Sequence, residues 1–193
     1  MKTNTIQKEE IPMLTLKPAA SGDADAIFSI ICQGQKHLKD QGIDQWQNGY
    51  PDKARIEQDI CEQIGYLITD GSDILGYLCI VESGEPAYDQ IDGAWLTKYL
   101  SADCQNACRT QLIPGYAVIH RIVLSDNARG KGLSGSVFAL ADDFCRTRKI
   151  PALRIDTHAD NHKMQHVLSK SGFTFCGIVE YTSGLRRAYE KLL

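Results

Sequence analysis

The chain switches between two hydrophobic periods, and the switches mark its elements. In "LTLKPA", Leu14 to Ala19, apolar and polar residues alternate and then meet proline, which predicts a first strand. In "DADAIFSIICQGQKHLKDQG" the period lengthens. Ile27, Ile30, Ile31 and Leu38 recur at helical spacing, with Ser21 or Asp23 as the expected cap and Gly42 as the stop. "IDQWQNGYPD" is turn-rich, and "KARIEQDICEQI" predicts a second amphipathic helix. "GYLITDGSDILGYLCIVES" predicts two strands around an Asp-Gly turn. The stretch from Gly84 to Gly115 predicts a long loop with a short helix, and its length suggests a functional loop. "YAVIHRIVL" then predicts a strand, Gly132 to Lys149 a helix, and "ALRIDTH" a strand. "DNHKMQHVLSKSGF" predicts a helix stopped by Gly172, and "FTFCGIVEY" with "RRAYEKLL" a closing hairpin across "TSG". The order βααββ, then βαβαββ, is an α/β pattern of about seven strands and about four helices with hairpins attached.

Composition narrows the class. At 193 residues, 43% of them hydrophobic and 23% charged, the chain fits one domain that buries a real core. A formal net charge of −3 does not favour nucleic acid. No apolar run approaches the roughly 18 residues of a membrane span. Residues 1–12, "MKTNTIQKEEIP", lack an apolar core and are read as a flexible tail rather than a secretory signal, with residues 13–193 as the domain and Met13 as an alternative start. The seven cysteines contain no C-x-x-C pair, and several lie inside apolar runs. They read as free thiols of a reducing cytoplasm. Cys104 and Cys108 have no histidine near them in sequence, and His158, His162 and His166 lack an H-E-x-x-H pattern, so no metal is expected.

The chemistry concentrates in "VIHRIVLSDNARGKGLSG", where a β-branched run breaks into glycines and cations. Three readings apply. The glycines can serve as a flexible turn before a helix. Gly130, Gly132 and Gly135 also satisfy G-x-G-x-x-G, with Asp156 about 20 residues on, as in NAD(P)-binding oxidoreductases. Against that, "SDNA" separates the glycines from the strand, and the chain beyond Asp156 is too short to complete a doubly wound sheet. The third reading is a pyrophosphate cradle. Helix-opening N–H groups carry partial positive charge, glycines admit close approach, and Arg129 and Lys131 add cations.

Together, "RGKGLSG" after a strand, "DTHADN" and "SKSGF" resemble the GNAT superfamily of acetyl-CoA-dependent N-acetyltransferases. The family signature is met by Arg129 and Gly132, while Ser134 departs from the usual Gly or Ala. The resemblance implies a mixed, mostly antiparallel central sheet flanked by helices, and acetyl transfer to a primary amine of a small molecule or peptide. It implies that Arg129, Gly130, Lys131, Gly132, Leu133, Ser134 and Gly135 hold the pyrophosphate. Ile122, Val123 and Leu124 would line the pantetheine arm, with Asn161 and Lys163 as further cofactor contacts. The backbone N–H near Leu124 would polarise the thioester carbonyl.

Strand alternation places His120, Ile122 and Leu124 on one face and so aligns His120 with the acetyl end, either as base or as a satisfied structural histidine of the strand; Glu82 is the rival base, acting through water. The family's helix tyrosine, four residues before the glycine of "GF", is here Leu168, leaving Tyr116, Tyr181 or a water as acid. That departure keeps a non-catalytic acetyl-CoA sensor open beside the enzyme. Trp46, Tyr50 and His158 are the acceptor-side candidates. Expected partners are a small-molecule or peptide amine, with neither nucleic acid nor membrane, and a homodimer is left open.

Overall fold

A computed structural model of the chain describes residues 14–71, 73–97 and 115–193. The expected tail, Met13, Cys104, Cys108 and the later part of the long loop lie outside the described residues.

The first strand, β1 (Leu14–Pro18), leads through a single 3-10 turn into helix α1 (Ala24–Asp40). Neither expected cap bond forms there. Asp23 reaches backward to accept from the amide of Ala20 at 2.9 Å, so its side chain closes the turn and not the helix. Gly42 ends the helix as expected, left-handed at φ 71° with its amide on the Lys39 carbonyl. Helix α2 (Lys53–Cys61) starts at Asp52, whose carboxylate accepts from the amide of Arg55 at 2.8 Å. The hairpin of β2 (Gly65–Asp70) and β3 (Asp73–Val81) comes next.

The described part of the long loop, residues 84–97, carries regular structure. It contains a 3-10 turn at Pro86–Tyr88 and a three-residue strand, β4 (Ile91–Gly93). After it come β5 (Ala117–Leu124), α3 (Ser134–Thr147), β6 (Ala152–Thr157), α4 (His162–Lys170), β7 (Thr174–Tyr181) and β8 (Gly184–Leu192). The sheet therefore has eight strands rather than about seven, because β4 pairs with β7. Three residues carry no period, so β4 leaves no signal in the sequence.

Strand order is β1-β2-β3-β5-β6-β8-β7-β4, antiparallel except for the β5–β6 pair. A doubly wound dinucleotide-binding sheet is parallel throughout its core, so the NAD(P) reading is corrected. β3 alternates cleanly between two cores. Leu78 and Ile80 pack with Phe138, Ala141 and Leu168 of α3 and α4, while Tyr77 and Cys79 pack with Ile27, Ile31 and Ile56 of α1 and α2. Burial on both faces explains why "YLCIV" reads as an unbroken apolar run. Among the described residues, no helix is long and apolar enough to cross a membrane.

Candidate functional site

The site begins with a break in strand pairing. β5 and β6 pair only at Ala117–Leu153 and Val118–Arg154 among the described residues. Beyond that point they part, and a cavity of about 860 Å³ opens between them. Its walls include Ile119 to Leu124 on one side and Ile155 to Thr157 on the other.

A bulge in β5 shapes the wall. Two residues of β5, Arg121 and Ile122, stand opposite one residue of β3 between the Tyr77–Val123 and Cys79–His120 pairs. Arg121 carries the left-handed backbone this requires, at φ 51°. Gly76 pairs with Leu124 just past the bulge, where a Cβ would come within 2.4 Å of the Val123 carbonyl oxygen. The extra residue inverts the alternation. Ala117, Ile119, Ile122 and Leu124 pack toward α3, whereas Val118 and Val123 pack on the opposite side. The expectation that His120, Ile122 and Leu124 share a face is thus corrected: His120 is on the side of Val118. It still borders the cavity, as do Ile122, Val123 and Leu124.

At the other end of the cavity β5 runs into α3. Gly130 and Gly132 are left-handed at φ 76° and 72°, conformations that cost a residue with a Cβ about 1–2 kcal/mol. The amides of Ala128 and Arg129 close a turn on the Ser125 carbonyl, and the Val137 amide closes the first helical bond on Leu133. Between them, the amides from Gly130 to Ser136 have no partner among the described residues. Unbonded amides at a helix start are a ready anion site. Arg129, Gly130, Ser134, Asn161 and Lys163 line the cavity here. Lys131, Gly132 and Gly135 are exposed beside it, and the side chain of Leu133 points into the core and contributes only backbone. Asn161 caps α4, its Oδ1 accepting from the Met164 amide at 3.2 Å. These features fit a diphosphate carried by a nucleotide cofactor such as coenzyme A.

Near the β5–β6 fork, the Nε2 of His120 is 3.0 Å from Oε2 of Glu85. Glu85 opens the 3-10 turn and its other oxygen accepts from the Ala87 amide at 3.2 Å. Burial pushes the Glu85 carboxyl up, but the His120 hydrogen bond, the Ala87 amide and nearby positive charge outweigh it and hold the pKa below the usual glutamate value. Glu82, the expected rival base, does not border the cavity. It lies on another surface, paired with Arg148 at 3.2 Å, and the carboxylate that the fold brings to His120 is that of Glu85. Leu168 is fully buried among the α3 and β6 side chains, so nothing replaces the helix tyrosine there. The Tyr116 ring lies 3.7 Å beneath the Arg154 guanidinium, and Tyr181 donates to Asp156 at 2.9 Å.

Trp46 and Tyr50 both line the cavity, and the Tyr50 hydroxyl accepts from Nη1 of Arg121 at 2.7 Å. His158 does not line it. Its Nδ1 accepts from the Asp160 amide at 3.2 Å, which folds the ring onto its own loop. Among the described residues no group of three or more His, Cys, Asp or Glu is arranged to hold a metal.

Three residues that line or support the cavity are not singled out as site residues by the sequence. Asp59 is fully buried and collects Arg55, Arg121, the Tyr77 hydroxyl and the Cys79 thiol. Its signal is an acid on the apolar stripe of α2, three positions after Ile56. Glu85 is legible as an acid immediately before a proline, a helix-start pattern. Asp156 stands in the sequence as part of a dinucleotide fingerprint and as the first residue of "DTHADN"; in the structure it lines the cavity between two tyrosine hydroxyls.

Comparison with known proteins agrees with this arrangement. The sequence pattern of the Acetyltransferase (GNAT) family matches residues 35–173. A streptothricin acetyltransferase from Escherichia coli is 33% identical over 66 residues, 34% of this chain and 38% of that protein, so the match spans well under half of either. The crystal structure of a GNAT-family acetyltransferase from Streptococcus agalactiae superposes with a TM-score of 0.77 at 28% identity, covering 93% of this chain and 95% of the other. Spermidine N-acetyltransferase from Vibrio cholerae, in complex with CoA and spermine, shares the fold at 15% identity and a TM-score of 0.61, covering 93% and 95%. With more than half of its length matched by the family pattern, the split sheet and the amides opening α3 have a common explanation: the chain belongs to the Acetyltransferase (GNAT) family.

Proposed function

We propose that the chain transfers the acetyl group of acetyl-CoA directly to a primary amine of a small molecule or peptide, in the cytoplasm. The observation that carries this reading is the run of unpartnered amides from Gly130 to Ser136, opening onto a cavity that reaches the His120–Glu85 pair. When bound, acetyl-CoA supplies an activated thioester. The amides and Arg129 hold the diphosphate, with Lys131 and Lys163 adding charge at the rim. The β5 edge from Ile122 to Leu124, unpaired on the β6 side, receives the pantetheine amides. The Leu124 backbone N–H polarises the carbonyl, a contribution of the kind worth about 3 kcal/mol. His120 takes the proton of the incoming ammonium, and Glu85 orients the ring and stabilises the imidazolium that forms. Trp46 and Tyr50 shape the acceptor end. The free cysteines Cys32, Cys61, Cys79, Cys145 and Cys176 accord with a reducing compartment.

The test is release of free thiol from acetyl-CoA over a panel of amines, amino acids and short peptides. Release with any acceptor supports transfer. A second reading, a sensor that binds acetyl-CoA without turnover, draws on the burial of Leu168 where the family places its tyrosine. Saturable binding with no thiol release across the panel would favour it.

A further inference from the structure

The Glu85–Tyr88 segment bridges the fork in the sheet. Glu85 holds His120 on β5, and the Tyr88 hydroxyl donates to Oδ2 of Asp156 on β6 at 2.8 Å. The same Oδ2 accepts a second hydrogen bond, from the Tyr181 hydroxyl at 2.9 Å. Both phenols are pushed well above the usual tyrosine value, by burial first and then by the carboxylate itself, so they remain donors. Oδ1 has no partner among the described residues, and it is not a buried atom. Asp156 lines the cavity.

His120 and Asp156 each stand two positions past the last β5–β6 pair, Val118–Arg154, and their contacts lie on the same side of the sheet. They therefore face each other across the opening. No described lysine, arginine or histidine forms an ion pair with Asp156. Arg121, on the same wall, is already matched by Asp59. Arg186, also on the wall, directs its guanidinium to the Ser183 and Leu185 carbonyls and the Ser183 hydroxyl. An oriented, partly desolvated carboxylate with one oxygen left over calls for a cation.

We infer that Asp156 anchors a second, non-reacting ammonium of the acceptor, so that the substrate class is a diamine or polyamine. This rests on the acetyl-transfer reading. One ammonium sits on Asp156 Oδ1 while the other, across the opening, loses its proton to His120 and is acetylated. Asp156 is a specificity residue in this scheme and takes no part in proton transfer.

The experiment compares butylamine with 1,4-diaminobutane, and pentylamine with 1,5-diaminopentane, by thiol release, beside calorimetric binding of acetyl-CoA. Wild type should favour each diamine over its monoamine in kcat/KM. Asp156→Asn keeps the tyrosine hydrogen bonds and removes the charge, and it should cut that preference at least tenfold, through KM. Asp156→Glu, which restores the charge, should recover part of it, and a melting curve for each variant confirms folding. A diamine preference absent in wild type, or unaltered in Asp156→Asn, overturns the inference while leaving acetyl transfer intact. So does a kcat loss of equal size for both amines, which would make Asp156 part of the proton path. Acetyl-CoA binding with no thiol release from any amine overturns the acetyl-transfer reading itself, and the anchor falls with it.

Discussion

At Arg121 one left-handed residue redirects the wall of the cavity. Strand period 2 read straight through "VIHRIVL" sends His120 to the wrong face, because nothing in the letters marks the extra residue of a bulge. The bulge holds because its side chain is committed: the Nε and Nη2 of Arg121 donate to Asp59 at 2.6 and 2.9 Å. A buried pair of this kind contributes less by its charge attraction than by what its loss would cost, about 3–5 kcal/mol when one partner is removed. The same residues differ in how far the sequence exposes them. His120 is legible because an imidazole on a strand beside the glycine run is chemically conspicuous. Its hydrogen-bond partner Glu85 is not legible, because only the tertiary path of the loop brings Glu85 back over β5, while Glu82, the rival base, pairs with Arg148. Replacement of His120 by Ala should lower kcat by about 10²–10⁴-fold, the usual span for a general base. Acetyl-CoA affinity, followed by calorimetry, should change little; an undiminished kcat would remove His120 from the reaction.

Among the elements, the start of α3 carries the cofactor reading. Its helix opens without a side-chain cap, so the amides that a cap would satisfy are left for a ligand. α4 provides the contrast: there Asn161 spends its side chain on the cap. Saturating acetyl-CoA at about 100 times its dissociation constant should stabilise the fold by about 2.7 kcal/mol, or roughly 5–10 °C in Tm for a chain of this size. Gly132→Asp places a Cβ on a left-handed backbone and a negative charge beside the amides. The variant should melt slightly lower and lose the acetyl-CoA shift. Differential scanning fluorimetry with and without ligand checks both, and a shift equal to that of wild type would count against the cradle.

For the molecule as a whole, two cores enclose the central strands and settle the state of the thiols. Burial pushes the Cys79 and Cys145 thiols up to about 12, against the opposing charge of Arg121 at Cys79 and with Glu82 and Asp142 adding to it at Cys145, while Cys32 and Cys61 are exposed. A thiol that high is almost wholly protonated at pH 8 and is a poor nucleophile. Iodoacetamide on the native protein should therefore modify Cys32 and Cys61 and spare Cys79 and Cys145, as read by peptide mass spectrometry. Rapid labelling at Cys79 would contradict the packing around Asp59.

The sequence by itself determined the element order, the hairpin of β2 and β3 and the glycine-rich start of α3, because periodicity, turn chemistry and backbone freedom act over a few neighbouring residues. Only the tertiary structure decided the eighth strand, the phase of β5, the pairing of Glu85 with His120 and the place of Asp156 opposite them. Those features depend on contacts such as Tyr88 to Asp156, 68 positions apart, which no local pattern encodes.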